Sequence, residues 1–212
     1  MPARIVTIAN QKGGTGKTTL TMNLAAGFAR RGRTLVLDAD PQRSATQWGK
    51  LAPEGRAYSV AVIPVADDLE REVERFRDYY RFILVDCPPT LETDTVHRAM
   101  VAADVVLIPV LPSPVDLWAS LRIAHAVEDA KQRNRGLHAR LLLNQLEARN
   151  ALSQSMQQAL AEFDIPALKG TVQRRAAYRN AALEGLSIYE LARRPKPAVA
   201  EIDAIIEEVL ML

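Results

Sequence analysis

A glycine-rich stretch near the start of the chain constrains the fold more than any other feature. Residues 12–19 read Lys-Gly-Gly-Thr-Gly-Lys-Thr-Thr. The apolar, β-branched run before it predicts a strand over residues 4–10, and the run after it predicts a helix over residues 17–31. A glycine turn between a strand and a helix points successive backbone N–H groups, and the positive end of the helix dipole, at one place. The stretch therefore predicts a phosphate cradle.

The polar residues of this loop have expected tasks. Lys17 is expected to reach the β- and γ-phosphates of a nucleotide, and the Thr18 hydroxyl is expected to hold Mg²⁺. Compared with the usual pattern of glycine, four residues and Gly-Lys-Ser/Thr, the loop is a shortened form that carries a second lysine, Lys12. The other predicted nucleotide-binding residues of the loop are Gly13, Gly14, Thr15, Gly16 and Thr19.

The rest of the chain alternates predicted strands and helices. The apolar strands read as buried on both faces, which a parallel sheet between two helical layers requires. No low-complexity linker or repeat divides the 212 residues. We predict a single α/β domain over residues 1–212, with a doubly wound, mostly parallel sheet and helices on both faces. Further strands are predicted over 33–38, 58–64, 81–86, 104–110, 139–145 and near 167–172, and further helices over 44–51, 67–79, 94–102, 116–134, 151–163, 175–184 and 198–211.

Aspartates follow two of the predicted strands, at the sheet edge where such folds bind ligands. Asp38 and Asp40 close the second strand in Asp-Ala-Asp-Pro-Gln and face the same side. Beside Mg²⁺ and phosphate, one carboxylate can join the metal's water shell while the other orients the attacking water. Four apolar residues that end in Asp86 form a Walker B signature, in which Asp86 holds Mg²⁺ through water. Two prolines follow, and they predict the rigid start of a switch loop sensitive to the γ-phosphate.

With these motifs the chain resembles the ParA/MinD family of deviant Walker A ATPases, and most of all its short ParA members, over nearly its whole length. The resemblance implies ATP and Mg²⁺ as cofactors and slow hydrolysis that a partner protein stimulates. It implies that Lys12 crosses the interface of an ATP-bound homodimer and contacts the phosphates of the partner subunit. It assigns Asp40 to the hydrolytic water, Asp38 to the Mg²⁺ shell and Asn144 to the adenine. The alternatives are a loop lysine without function for Lys12, a plain Asp-Pro turn for the segment of Asp38 and Asp40, and a strand-end cap for Asn144.

The segment after the fifth predicted strand is rich in proline. Pro109, Pro112 and Pro114 cannot lie in a regular helix interior, so they are expected to shape the loop there. The segment resembles the proline-rich stretch that helps to form the dimer face in short ParA proteins.

Residues 166–197 carry seven basic and two acidic side chains, while the whole chain has a net charge of only +2. Such a concentration of charge fits contact with a phosphate backbone, which carries little sequence information. The segment also resembles the region of ParA proteins that binds non-specific DNA. The alternative is a solvated basic face. The predicted DNA-binding residues are Lys169, Arg174, Arg175 and Arg179.

Other features narrow the partners and the compartment. The single cysteine, Cys87, excludes an internal disulfide and is expected to be a small buried residue in a reducing compartment. The predicted C-terminal helix is amphipathic but acidic, so we expect it to pack on the core and expect no membrane binding. No leader is visible, and the chain leaves no room before its first strand for an operator-binding domain. We therefore expect a cytoplasmic, nucleoid-associated protein without sequence-specific repression.

Three functions remain open from the sequence. The favoured one is a ParA-like ATPase that uses DNA as a matrix and positions a plasmid, a chromosome or a protein body such as a carboxysome, with a ParB-like protein or another cargo adaptor as its partner. The second is a nucleotide-dependent assembly factor that acts on a protein complex without DNA. The third is a metabolic ligase or reductase subunit, although a single cysteine per subunit is too few for a cluster held by paired cysteines in a dimer. The sequence identifies neither the cargo nor the partner.

Overall fold

Six parallel strands form one sheet in the part of the chain that the computed structural model describes, which is residues 2–65, 68–91, 93–147, 160 and 163–212, without the side chains of 114–121. The order of the strands across the sheet is β3-β2-β4-β1-β5-β6, and every pairing is parallel. The change of direction beside β1 leaves a crevice at the carboxyl ends of the central strands. The strands are β1 (Arg4–Ile8), β2 (Thr34–Asp38), β3 (Ala61–Pro64), β4 (Phe82–Asp86), β5 (Val105–Val110) and β6 (His138–Leu143).

Helices cover both faces of the sheet. Alternate side chains of a strand enter opposite cores, so that Ile5 packs with α3, α4 and α5, whereas Val6 packs with the other four helices. The helices described are α1 (Lys17–Ala29), α2 (Ser44–Trp48), α3 (Leu69–Phe76), α4 (Asp94–Ala102), α5 (Pro114–Arg133), α6 (Ala176–Leu183) and α7 (Lys196–Leu210). Within the described ranges, no helix is long and apolar enough to cross a membrane.

Most of the predicted architecture is confirmed. The doubly wound parallel sheet is present, and Cys87 is buried, which raises the pKa of its thiol. The predicted C-terminal helix is α7, and its apolar face, including Ile202 and Ile206, is fully buried against α1. Helix α5 begins two residues earlier than predicted because Pro114 suits the first turn of a helix. The predicted helix over 151–163 lies, except for residues 160 and 163, outside the described residues.

The predicted strand near 167–172 is wrong. This segment runs beside β6 but forms only isolated bridges, Leu141 with Ala167 and Leu146 with Gln173. Two of its N–H groups, those of Lys169 and Gly170, donate instead to the carboxylate of Glu208 in α7, at 2.8 and 2.5 Å. A continuous ladder is lost because these donors serve a side chain rather than a strand.

Two further boundaries differ from the sequence prediction. Strand β3 begins at Ala61 rather than at residue 58, because Tyr58 turns inward and its hydroxyl donates to the carbonyl of Met22. Pro109 lies inside β5 rather than in the following loop, paired in register with Leu142 of β6. Its missing N–H is tolerated because Leu107 is the last β5 residue in register with β1.

Candidate functional site

The glycine-rich loop joins β1 to α1 at the carboxyl edge of the sheet. Gly14 and Gly16 have φ angles of +76° and +88°, in the left-handed region that favours glycine. A Cβ on Gly16 would lie 2.5 Å from Nδ2 of Asn144, so any larger residue would displace that side chain. A Cβ on Gly13 or Gly14 would meet nothing within 4 Å. The loop is therefore tightly seated on one side and open on the other.

Two buried asparagines fasten the loop to the sheet. Nδ2 of Asn10 donates to the carbonyl of Pro109 in β5 at 2.7 Å, and its Oδ1 accepts from the N–H of Lys12 at 3.0 Å. Nδ2 of Asn144, just after β6, donates to the carbonyl of Thr15 at 2.7 Å. Each asparagine is only 4% exposed, so the loop is held from both flanks. The predicted contact of Asn144 with adenine stays a prediction.

Lys17 begins α1 and lies beneath the loop. Its Nζ donates to the carbonyl of Lys12 at 3.0 Å. Burial lowers the pKa of Lys17, while the negative charge of Asp86 opposes that shift. A buried ammonium that is bonded to a single loop carbonyl can exchange this partner for a phosphate oxygen. The position agrees with the task predicted for Lys17.

Asp86 lies at the end of β4, and its carboxylate accepts hydrogen bonds from two hydroxyl groups in the first two turns of α1. Thr18 Oγ1 donates to its Oδ2 at 2.7 Å and Thr21 Oγ1 donates to its Oδ1 at 3.1 Å. Burial raises the pKa of this carboxyl to about 7, the hydrogen bond from Thr18 opposes the rise, and the charge of Asp38 adds to it. A buried carboxylate beside a hydroxyl is a set of oxygen donors that suits Mg²⁺. Thr21 was not predicted, since nothing in the motif distinguishes it from an ordinary helix residue.

Asp38 is brought next to Asp86, because the two residues pair in register across β2 and β4. Its carboxylate is fully buried, and its Oδ2 accepts from both the N–H and the hydroxyl of Thr46, at 2.8 and 2.7 Å. Asp38 thus anchors the middle of α2. The end of α2 is anchored too, because Nε1 of Trp48 donates to the carbonyl of Leu186 at 3.1 Å.

Asp40 is 8% exposed, and its Oδ1 accepts from the N–H of Gln42 at 2.8 Å. This hydrogen bond closes a turn that holds the Asp40 carboxylate at the carboxyl edge of the sheet, beside the loop. The tasks predicted for Asp38 in the Mg²⁺ shell and for Asp40 at the hydrolytic water stay predictions.

A pocket of about 230 Å³ lies beside the loop, between α1 and the segment that leads into α6. Gly16 and Thr19 line one side of it, and Gln173 and Tyr178 line the other. Gln145 forms part of the wall: it has a φ angle of +58°, and its Nε2 donates to the carbonyl of Gly14 at 3.1 Å. The pocket adjoins the phosphate cradle, since Gly16 belongs to both. Gln145 was not predicted, because a positive φ angle at a glutamine has no signature in the sequence.

The predicted DNA-binding residues do not form a uniform basic surface. Arg174 pairs with Glu147 at 3.1 Å on the surface, and Arg175 pairs with Glu201 of α7 at 2.6 Å. That second pair raises the pKa of Arg175 through its hydrogen bond with the carboxylate. Lys169 and Arg179 are exposed and form no ion pair with any other described residue. Along the chain, the four predicted residues carry four positive charges. In the folded structure, Glu147 and Glu201 pair with two of these residues and neutralise their charge.

The same segment lines the pocket beside the loop, since its walls include Arg174, Arg175 and Arg179. The basic residues and the candidate nucleoside pocket therefore share one segment of chain.

A profile of the CobQ/CobB/MinD/ParA nucleotide binding domain matches residues 6–188, which includes the loop, the aspartates and the pocket. The chain belongs to this family. The predicted resemblance to ParA and MinD proteins is confirmed.

Individual relatives place the chain within the family. The Maintenance of carboxysome distribution protein A of Halothiobacillus neapolitanus is 40% identical over 207 residues, which cover 96% of this chain and 94% of that protein. The Chromosome partitioning protein ParA of Caulobacter vibrioides is 33% identical over 203 residues, with 73% and 74% covered. The crystal structure of a plasmid partition protein from Borrelia burgdorferi bound to AMPPNP has a TM-score of 0.75 at 20% identity and covers 99% of both chains. The last likeness shows that the fold is shared.

Proposed function

We propose that this family member is an ATP-dependent, dimerising switch ATPase that positions a cargo on non-specific DNA, with carboxysomes as the cargo. The observation that carries the proposal is the 40% identity with a carboxysome distribution protein, which extends over 96% of the chain. The geometry of the loop supports it, since Lys17, Thr18 and Asp86 lie together at the carboxyl edge of the sheet.

The residues present fit ATP and Mg²⁺. Lys17 would exchange the carbonyl of Lys12 for a phosphate oxygen, and the loop N–H groups would hold the phosphates. Thr18 and Asp86, which now bond each other at 2.7 Å, would hold the metal between them, Asp86 through water. Mg²⁺, when bound, neutralises phosphate charge. Asp40 would orient the attacking water, and Asp38 would support the metal's water shell.

Hydrolysis in this proposal waits for a second subunit. Lys12 would cross to the partner's phosphates, so that ATP binding and dimer formation depend on each other. A partner protein, an adaptor of the cargo, would then stimulate turnover and release the dimer from DNA. The protein would act in the cytoplasm, on the nucleoid.

The test of the switch is Lys12→Ala, with Lys50→Ala, an exposed lysine on another part of the surface, as the matched control. Lys12→Ala is expected to bind ATP but to stay monomeric and fail to turn over. Light scattering and phosphate release with ATP and Mg²⁺ measure both properties. Wild-type dimerisation and turnover in Lys12→Ala would refute the cross-subunit role.

DNA binding is tested by co-sedimentation with ATP, ADP or no nucleotide, at low and high salt. Binding is expected only with ATP, and it is expected to weaken steeply with salt because it depends on counterion release. Arg179→Glu is expected to abolish binding, whereas Arg133→Glu, an exposed arginine of α5, is expected to leave it intact.

A second candidate function is a nucleotide-dependent assembly factor that does not bind DNA. The ion pairs of Arg174 with Glu147 and of Arg175 with Glu201 favour it, because they remove charge from the predicted DNA surface. Absence of DNA binding under every nucleotide condition, with ATP-dependent dimerisation retained, would establish this function instead.

The cargo is tested in the organism that carries the chain. Deletion of its gene is expected to leave carboxysomes clustered instead of spaced along the cell, and the Lys12→Ala gene is expected not to restore the spacing. Normal carboxysome spacing in the deletion strain would remove carboxysomes as the cargo and leave a plasmid, a chromosome or another protein body.

A further inference from the structure

Three arginines from three neighbouring strands meet at the amino edge of the sheet. Arg4 opens β1 and pairs in register with Phe82, which follows Arg81, while Thr34, which follows Arg33, pairs with the same Phe82 from the other side. Their backbones are joined directly: the N–H of Arg4 donates to the carbonyl of Arg81 at 2.9 Å, and the N–H of Arg81 donates to that of Arg33 at 2.8 Å. The register of the sheet therefore places the three backbone positions on or directly before adjacent strands, at one edge of the sheet.

These guanidinium groups have no carboxylate partner among the described residues. Nε of Arg4 is buried and lacks a hydrogen-bond partner in the described part of the chain. Arg33 lies over the ring of Tyr80 at 5.3 Å, and Arg81 lies over the ring of Phe82 at 5.4 Å. Nη1 of Arg81 also donates to the carbonyl of Arg31 at 2.9 Å. A buried donor without an acceptor costs free energy, and guanidinium groups without a described carboxylate partner can bind anions.

The arginines line an open cleft of about 950 Å³. Its apolar surface includes Tyr79, which is 67% exposed, and Leu210 at the end of α7. A second groove shares Arg33, Tyr79 and Tyr80 with the first, so that these three residues form the ridge between the two. Arginine and tyrosine are the residues that most often carry the binding energy of protein interfaces.

Charge and shape indicate what this cleft holds. Asp78 and Asp104 also line it, and they would repel a continuous phosphate backbone, whose charge does not alternate. A concave cleft also excludes the convex surface of a DNA duplex. A peptide can instead place separate carboxylates on the arginines and an apolar side chain against Tyr79. The position suits a partner too, because the cleft lies at the opposite end of the strands from the phosphate loop and would stay accessible when two subunits close on ATP.

We propose that this amino-edge cleft is a docking site for an acidic segment of a partner protein, with carboxylates on Arg33 and its two neighbours and an apolar residue beside Tyr79. The site takes no part in nucleotide binding or hydrolysis. A failure of this docking proposal can therefore be distinguished from a failure of the proposed function.

The test uses the full chain and a fluorescein-labelled peptide of about twelve residues that repeats Glu, Asp and Leu, with fluorescence anisotropy as the readout. Arg33→Glu is the main variant, because this side chain is exposed and lies over the ring of Tyr80. It is expected to weaken binding about tenfold or more, and Tyr79→Ala is expected to weaken it several-fold. The same peptide with Gln and Asn in place of the acids is expected not to bind. Arg179→Glu is expected to keep peptide binding and to lose DNA, whereas Arg33→Glu is expected to keep ATP turnover and DNA binding.

The opposite results overturn the proposal. Failure of the wild-type chain to bind the acidic peptide would do so, and so would equal binding by Arg33→Glu. Loss of DNA binding in Arg33→Glu and Tyr79→Ala would show that the cleft contacts nucleic acid, which also overturns it. Nucleotide binding by Arg33→Glu and Tyr79→Ala confirms that these variants are folded, and circular dichroism does so for Arg179→Glu, whose side chain lines the candidate nucleoside pocket.

Discussion

Removal of the Asn144 side chain tests whether the phosphate loop is held in place by the sheet. In Asn144→Ala, the carbonyl of Thr15 loses a donor at 2.7 Å and the N–H of Gln145 loses an acceptor at 2.9 Å. Each lost hydrogen bond lowers the free energy of unfolding by about 0.5 to 1.5 kcal/mol, so the expected total is roughly 2 kcal/mol. For a chain of this size, that corresponds to a fall in melting temperature of about 4 to 8 °C.

The loop itself is expected to lose more than the rest of the fold. Without Asn144, Thr15 is no longer tied to β6, so part of the ordering of the loop has to occur when the nucleotide binds. If about 1.4 kcal/mol of the loss acts on the loop, affinity for ATP falls about tenfold. Thermal unfolding and the binding of a fluorescent ATP analogue measure the two effects separately.

Asn180→Ala is the matched control, because Asn180 is exposed on α6 and exposed substitutions change stability by less than about 0.5 kcal/mol. If Asn144→Ala unfolds and binds nucleotide like this control, the asparagine does not hold the loop. A fall in stability with unchanged affinity would show that it supports the fold but not the cradle.

Three further predictions concern the same site. Gly16→Ala is expected to weaken ATP binding at least about tenfold, because it combines a φ angle of +88° with a contact of 2.5 Å to Asn144; titration with a fluorescent analogue measures this. Thr46→Val is expected to cost about 1 to 3 kcal/mol in chemical denaturation, because the buried Asp38 loses a hydroxyl donor. Without divalent ions, stability is expected to fall as the pH rises from 3.8 towards 7, since the folded state keeps the Asp86 proton up to a pKa of about 7 while the unfolded chain releases it near 3.8. Asp86→Asn removes this component, so parallel slopes of stability against pH for the two proteins would contradict the pKa assignment.

The phosphate loop and the parallel sheet were predictable because their signals are local. A glycine turn between a strand and a helix is legible in eight residues, and β-branched runs buried on both faces indicate parallel strands. Asp86 was equally legible, since a run of apolar residues delivers it to the edge where the loop lies. From the sequence, Pro114 could be identified only as a residue that is excluded from helix interiors, whereas in the structure it lies in the first turn of α5.

What sequence could not supply is the pairing of side chains that are distant along the chain. Glu201 lies 26 residues after Arg175, and no spacing rule connects them, yet their ion pair changes the charge of the predicted DNA surface. Glu208 likewise takes the N–H groups that would have made a seventh strand. The hydrogen bond from Thr46 to Asp38 is another contact that the sequence does not reveal. It engages Asp38 and not Asp40, so two aspartates that face the same side can have different tasks.

The short helix α2 joins two parts of the molecule mechanically. It is only five residues long; its Thr46 bonds to Asp38 and its Trp48 bonds to the carbonyl of Leu186. A single turn of helix has little room in which to absorb a displacement. A movement of the aspartate turn would therefore also displace the chain after α6, the helix that bears Arg179.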